Sequence, residues 1–109
     1  MKLDISSHIL PPSESYPFTI SAKRYTAATT SNDADALTLI FTHAVGMHKE
    51  CFEPIIEYLF DMLAKTPVKV TDAWAIDCIQ HGEAALLNEE ILKTTFLETC
   101  KFCNVRCLF

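Results

Sequence analysis

The stretch LTLIFTHAVG, residues 37–46, indicates the fold class of this chain. Its first five residues, Leu37 to Phe41, are apolar and β-prone, which predicts a short strand covered on both faces. The sequence then changes at once to a polar turn that ends at Gly46. A buried strand followed directly by such a turn is typical of the carboxyl end of a parallel strand, where open α/β sheets place their chemistry.

The chain has only two glycines, and both close turns of this kind. Gly82 ends the turn at residues 77–82, directly after the apolar run Ala73 to Ile76. Ordinary usage would give about 7% glycine, so the two that are present mark positions where the backbone needs a positive φ or a close approach. We therefore expect the two turns to open on the same end of one sheet.

A helix is predicted between the two turns, over residues 51–64. Its apolar positions form two adjacent stripes: Ile55, Leu59 and Met62, beside Ile56, Phe60 and Leu63. Pro54 is compatible with the helix because it falls in the first turn. After a break at residues 65–67, Val68 to Ile76 predicts the next strand. A strand, a helix and a strand within about forty residues imply parallel pairing with a right-handed crossover.

The flanking segments carry weaker patterns. Residues 18–25 alternate well enough to predict a half-exposed strand. Residues 1–17 contain Pro11-Pro12 and several serines, which predicts an extended or loop-like lead-in. Good helix formers predict a helix over Glu83 to Leu92. The predicted fold class is α/β, with one strand, a βαβ unit and a following helix.

Composition and charge exclude several classes of partner. Apolar residues make up 50% of the chain and charged residues 21%, which is typical of a globular protein. A net charge of −5 gives no general attraction to nucleic acids or anionic membranes, so neither is an expected partner. No signal peptide is recognised at the amino terminus. We expect an intracellular, soluble and cytoplasmic protein.

The five cysteines predict neither a disulfide framework nor a metal site. In an intracellular protein they are expected as reduced thiols. Cys100, Cys103 and Cys107 have spacings that could hold zinc, but a structural zinc site needs a fourth ligand and none is nearby. No metal and no cofactor are therefore expected.

Two segments resemble a known superfamily. LIFTHAVGMHKECFEPIIEYLF, residues 39–60, resembles the strand, oxyanion loop and first helix of the α/β-hydrolases, and WAIDCIQHGEAALLN, residues 74–88, resembles their next strand and turn. The sequence is most similar to fungal α/β-hydrolase-like proteins associated with toxin or other secondary-metabolite biosynthesis. The resemblance covers roughly residues 18–90. It implies the amino-terminal part of a domain that hydrolyses ester, thioester or similar acyl bonds.

The resemblance also implies the roles of the two turns. Val45 matches the backbone donor of an oxyanion hole in that superfamily, with Ala44 beside it. Ala44 stands where the family pattern has glycine, which adds a Cβ at a sharp bend. The supporting loop residues that the resemblance implies are His43, Gly46, Asp77, His81 and Gly82.

In that superfamily the catalytic residues follow one another along the chain as Ser, acid and His. This sequence has no counterpart of that order. The last serine is Ser31, no Asp follows Asp77, and no His follows His81. The three cysteines downstream lack the flanking glycines of a nucleophile elbow, and no later His could act as their base. No catalytic residue is therefore predicted, and we expect this chain to be inactive by itself.

Several of these polar residues have a structural interpretation as well. His43 can hydrogen-bond behind its loop instead of transferring protons, and we favour that role. Asp77 and His81 can stabilise a turn through bonds from side chain to backbone. The run His48-Lys49-Glu50 is interpreted as a polar helix entrance rather than a set of substrate ligands.

Two function classes remain open. In the first, residues 18–90 are the amino-terminal part of a hydrolase domain that keeps only the oxyanion side, and residues 91–109 are a divergent tail from an altered reading frame or a retained intron. In the second, the chain is a non-catalytic interaction module or a non-functional truncated product. An exposed sheet edge is then expected to bind a partner chain or a second copy. Full-length relatives could be peroxisomal, although no peroxisomal signal is recognised here.

Overall fold

The computed structural model describes residues 2–94, which form a four-stranded mixed sheet and the helices packed on it. The strands are β1 (Asp4–Leu10), β2 (Ile20–Thr26), β3 (Leu37–Thr42) and β4 (Val70–Ile76). A 3₁₀ turn, Lys49–Phe52, leads directly into α1 (Glu53–Leu63), and α2 (Gly82–Leu87) follows β4. The strand order is β1-β2-β4-β3.

The predicted βαβ unit is confirmed. Strands β3 and β4 are parallel neighbours, with Leu39 opposite Ala73 and Phe41 opposite Ala75, and α1 lies in the connection between them. Of the two predicted stripes of α1, the one that contains Ile56 and Phe60 is buried against the sheet. Full burial of each such side chain contributes about 1.5–3 kcal/mol, so this stripe holds α1 on the sheet.

The sheet has one more strand than the sequence predicted. Residues 4–10, within the expected lead-in, form β1, which pairs antiparallel with β2 from Asp4 opposite Thr26 to Leu10 opposite Ile20. Six of its seven residues are exposed, because β1 is an edge strand. Strand β1 is therefore held mainly by backbone hydrogen bonds to β2. Because few of its side chains are buried, its sequence carries little of the apolar pattern that predicts a strand.

The second helix is shorter than expected. The prediction ran from Glu83 to Leu92, but α2 ends at Leu87, and helix resumes at residues 89–94. The interruption lies at Asn88, whose side chain is only 2% exposed. Its Oδ1 accepts the Thr19 N–H at 2.7 Å, and its Nδ2 donates to the carbonyls of Thr19 and Ala84. Asn88 thus ties the end of α2 to the segment before β2. Most of the expected divergent tail, residues 95–109, lies outside the described residues.

The helices contact one face of the sheet. Lys23 and Tyr25 of β2 reach Glu53 at the start of α1, and Ser21 on the same face reaches Glu83 of α2. Burial and the hydrogen bond to Glu53 together raise the pKa of Tyr25 well above its ordinary value. This face therefore contains the main core, with Ala73 and Ala75 fully buried.

The opposite face is polar at its centre. Asp72 accepts hydrogen bonds from Arg24 at 2.7 Å, Thr38 at 2.8 Å and Trp74 at 3.1 Å. Burial alone would raise the pKa of Asp72, but these bonds lower it instead. The His8 ring lies 4.8 Å from the Trp74 ring. This face thus joins β1, β2, β3 and β4 through side chains.

Strand β3 lies at the second edge of the sheet. Within residues 2–94, β4 is the strand that pairs with it. Leu37 is 52% exposed and Ile40 is 66% exposed. The expectation of a strand covered on both faces is therefore wrong for β3. Over the same part of the chain, no helix is long and apolar enough to cross a membrane.

Candidate functional site

The loops after β3 and β4 lie against each other at the carboxyl end of the parallel pair. We call residues 43–48 the β3 loop and residues 77–81 the β4 loop. The backbone N–H of Cys78 donates to Nε2 of His43 at 2.9 Å, and the backbone N–H of Gly46 donates to Nε2 of His81 at 3.1 Å. Each loop therefore supplies a histidine that accepts a backbone hydrogen bond from the other loop.

These contacts fix the tautomers of both histidines. Because Nε2 accepts a hydrogen bond in each ring, the proton of the neutral imidazole must lie on Nδ1. His43 Nδ1 then donates to the carbonyl of Ala44 at 2.9 Å. His81 Nδ1 is buried and has no hydrogen-bond partner within residues 2–94. The two rings meet edge to face with their centroids 5.2 Å apart.

The environment of His81 favours its neutral form. Burial is the largest cause that lowers the pKa of His81, and the neighbouring His43 lowers it further. The charge of Asp77 acts in the opposite direction but does not outweigh them. His81 is thus kept as the hydrogen-bond acceptor that Gly46 requires.

A buried ion pair anchors the end of the β3 loop. Lys49 and Asp77 both have fully buried side chains, and Lys49 Nζ donates to Asp77 Oδ2 at 2.9 Å. The backbone N–H of Lys49 donates to Asp77 Oδ1 at 2.8 Å. One carboxylate therefore holds both the main chain and the side chain of Lys49, which fixes the 3₁₀ turn against the end of β4.

Two further carboxylates surround the Lys49 ammonium group. Its Nζ lies 2.9 Å from Glu50 Oε1 and 3.2 Å from Glu83 Oε2. Burial alone would lower the pKa of Lys49, but the bonds to Asp77, Glu50 and Glu83 raise it above its ordinary value. Burial alone would likewise raise the pKa of Glu50. Its hydrogen bonds, above all the one from Lys49, instead lower that pKa to about 2. Lys49 and Glu50 therefore both stay charged at neutral pH.

Both glycines have the left-handed backbone that the sequence predicted, for different reasons. Gly46 has φ +83° with nothing within 4 Å of an added Cβ, so its requirement is purely conformational. Gly82 has φ +56°, and a Cβ there would lie 2.9 Å from both carboxylate oxygens of Asp77. Gly82 therefore also makes room for the carboxylate that holds Lys49.

Val45 and Ala44 lie at the exposed tip of the β3 loop. Val45 is 54% exposed. The Ala44 carbonyl accepts the Met47 N–H at 3.1 Å, and the Gly46 N–H is taken by His81. Within residues 2–94, no hydrogen bond uses the Val45 N–H. The contacts of Gly46 and Met47 therefore hold the base of the loop, and the Val45 N–H at its tip has no hydrogen bond to any of the described residues.

The structure brings the predicted loop residues together but gives Lys49 a different environment. His43, Gly46, Asp77, His81 and Gly82 all lie where the two loops meet. Lys49, which we interpreted as part of a polar helix entrance, is fully buried. No local sequence pattern predicts the burial of Lys49, because its partner Asp77 is 28 residues away. His48 is half-exposed and bonds Glu50 at 3.0 Å, as a polar entrance would.

Other features of the described residues offer less chemistry. Among residues 2–94, no group of His, Cys, Asp and Glu side chains has a geometry suited to a metal ion. Cys51 and Cys78 form no disulfide among residues 2–94, and the thiols expected at Cys100, Cys103 and Cys107 lie outside the described residues. A surface groove lined by Thr29, Leu63 and Val68 lies at the opposite end of the sheet, away from the two loops. The candidate site is therefore the pair of loops.

The chain is similar to a known protein in sequence and to a solved structure in fold. No protein-family model matches the sequence. The chain is 29% identical over 103 residues to the type I acyl-CoA thioesterase mpaH' of Penicillium brevicompactum, over 84% of this chain and 23% of that protein. The structure matches the peroxisomal α/β-hydrolase Lpx1 of Saccharomyces cerevisiae with a TM-score of 0.54 and 22% identity.

These matches agree with the topology and show its extent. The Lpx1 match covers 89% of this chain and 33% of the Lpx1 chain. The chain thus spans about a third of the solved relative and less than a quarter of the thioesterase. The four-stranded mixed sheet with its few helices matches a partial α/β-hydrolase fold, and the two matches together support a relationship to the α/β-hydrolases.

Proposed function

We propose that this chain provides the oxyanion-loop side of an α/β-hydrolase site that cleaves ester, thioester or similar acyl bonds. The observation that carries the proposal is the Val45 N–H, which no hydrogen bond within residues 2–94 engages, at the tip of a loop whose base is fixed. In this role Val45 is the donor, Ala44 lies beside it, and Gly46 and His81 hold the loop.

The chemistry requires a donor that is fixed before reaction. Attack on an acyl carbon produces a negatively charged oxygen, and a preorganised N–H stabilises it without reorganisation. The Lys49–Asp77 pair and the two histidines provide that rigidity. An oxyanion donor does not itself attack the carbonyl, so the proposed reaction also needs a separate nucleophile.

The relatives support the type of bond. The Penicillium protein is named as an acyl-CoA thioesterase, so a protein with a segment similar to this chain is described as acting on a thioester. Its fungal source agrees with the resemblance to proteins of fungal secondary metabolism. We therefore propose a thioester or ester of a small acyl compound as the substrate class.

The chain as it stands provides the first test. Purified protein should remain unlabelled by a fluorophosphonate probe and should not hydrolyse a p-nitrophenyl ester, because the last serine is Ser31, on the turn before β3. Reproducible ester turnover that changes with substitutions at Val45 or Gly46 would contradict this expectation.

A hybrid enzyme tests the donor directly. Residues 2–94 would replace the matching segment of the Penicillium thioesterase, and acyl-CoA hydrolysis would be measured. Val45→Pro removes the N–H and should lower kcat by about a hundredfold or more, the loss seen when one oxyanion donor is removed. Val45→Ala keeps the N–H and is the matched control. Equal kcat values for the two variants in a folded, active hybrid would reject Val45 as the donor.

The exposed edge of β3 favours a second candidate function, a non-catalytic interaction module. We infer that a partner chain would add a strand beside β3, since an unpaired edge presents a row of free backbone donors and acceptors. Leu37 and Ile40 would then pack against that partner. An Ile40→Lys variant that keeps its fold and loses association would support this function, whereas unchanged association would count against it.

A further inference from the structure

The two loops are held together by histidines in which the same ring nitrogen acts as acceptor. Gly46 N–H donates to His81 Nε2 and Cys78 N–H donates to His43 Nε2. We call these two reciprocal bonds the histidine latch. Both bonds depend on a lone pair at Nε2, and that lone pair exists only in the neutral imidazole.

We propose that the histidine latch is a proton-sensitive device in which His81 is a positioning residue for the β3 loop. When His81 is neutral, the loop is closed and its tip is fixed. When His81 takes up a proton, Nε2 becomes a donor that faces the Gly46 N–H, and the loop is released. The effect on Val45 rests on the proposed oxyanion function, but the latch itself does not.

The charged groups around the latch do not compensate for a new positive charge. The nearest carboxylate is Asp77, whose Oδ1 lies 3.7 Å from His43 Nε2. Both of its oxygens are already bonded to Lys49. Glu50 and Glu83 also contact the Lys49 ammonium group, and the exposed His48 pairs with Glu50. The acid that acts on His81 is thus already paired with Lys49, and an imidazolium at His81 would lie 5.2 Å from the ring of His43.

The direction of the response follows from burial. Burial and the neighbouring His43 lower the pKa of His81, so release should occur below the ordinary histidine value of about 6.5. Above that value the latch is closed. Among residues 2–94 no acceptor bonds the buried Nδ1–H of His81, so no hydrogen bond at that nitrogen stabilises the imidazolium.

NMR of the full-length ¹⁵N-labelled chain tests the proposal without any activity measurement. At neutral pH, long-range ¹H–¹⁵N spectra should show the Nδ1–H tautomer for both His43 and His81. The Gly46 amide resonance should move with the titration of His81, at a midpoint below the ordinary histidine value of about 6.5. Its protection from hydrogen exchange should fall by roughly two- to tenfold, the weight of one neutral hydrogen bond.

Matched variants separate positioning from packing. In His81→Gln the side-chain oxygen can still accept from Gly46 but does not titrate, so the loop should stay closed across the pH range. His81→Ala should give low protection of Gly46 at every pH, and the exposed control His48→Gln should leave the Gly46 titration unchanged. An Nε2–H tautomer at His81, or a Gly46 amide that does not respond to its titration, would overturn the latch. A confirmed latch together with an inert Val45→Pro substitution would reject the oxyanion role alone.

Discussion

Gly46 and Gly82 show how one backbone conformation serves two purposes. A non-glycine residue with positive φ costs roughly 1–2 kcal/mol, so Gly46→Ala should lower the free energy of unfolding by about that amount. Gly82→Ala adds a Cβ 2.9 Å from the Asp77 carboxylate. That carboxylate would have to move away from Lys49, where one charge-assisted hydrogen bond contributes about 1.5–3 kcal/mol.

We therefore predict that Gly82→Ala destabilises the chain by at least about 1 kcal/mol more than Gly46→Ala. Urea unfolding followed by the fluorescence of the single tryptophan, Trp74, provides the measurement. A double variant with Asp77→Ala controls for the clash, because removal of the carboxylate should abolish the extra cost of Gly82→Ala. Equal costs for the two single glycine variants would show that the Asp77 carboxylate can move away from the new Cβ and still bond Lys49.

At the scale of the elements, the Lys49–Asp77 pair connects the 3₁₀ turn to the end of β4 and, through Glu83, to α2. Removing one partner of a buried pair leaves an unpaired charge, so Lys49→Met should cost about 3–5 kcal/mol. Adding Asp77→Asn removes that charge while keeping an oxygen for the Lys49 N–H. The double variant should therefore cost less than the sum of the two single variants.

A thermodynamic cycle of these variants measures the coupling, which should fall at about 1–3 kcal/mol for residues in one network. The control is Lys93→Met, because the Lys93 side chain is 60% exposed and its ammonium group pairs with Glu89 and Glu90. Exposed pairs contribute about 0–1 kcal/mol, so this variant should be close to neutral. Additive costs for Lys49→Met and Asp77→Asn would mean that the pair is not the anchor of the β3 loop.

Local patterns explain which elements the sequence could predict. Strands β3 and β4 and helix α1 were predicted because each has an apolar run or stripe with a recognisable period. Strand β1 was missed because its side chains are mostly exposed and its stability comes from pairing with β2. The burial of Lys49 was missed because its partner is distant in sequence. Contacts between separate elements leave no periodic trace in either one.

At the scale of the whole molecule, the parallel pair ends at an open edge. Strand β3 has β4 on one side, and within residues 2–94 no strand lies on the other. The mixed sheet therefore presents unpaired backbone groups next to Leu37 and Ile40, both more than half exposed. An edge of this length with apolar side chains is a template for pairing with another chain. The other edge, β1, also carries an exposed isoleucine, Ile9, which makes the two edges comparable.

We predict that the purified chain associates through β3. Multi-angle light scattering should show a mean mass above that of the monomer, rising with protein concentration. Ile40→Lys places a charge beside the open edge and should shift the mass towards the monomer, because charged side chains oppose edge pairing. Ile9→Lys makes the same change on β1 and should leave association unchanged. A cooperative, concentration-independent monomer would show instead that the chain is a self-sufficient small domain. If Ile9→Lys alone suppresses association, the contact between copies lies at β1, because each lysine acts only at its own edge.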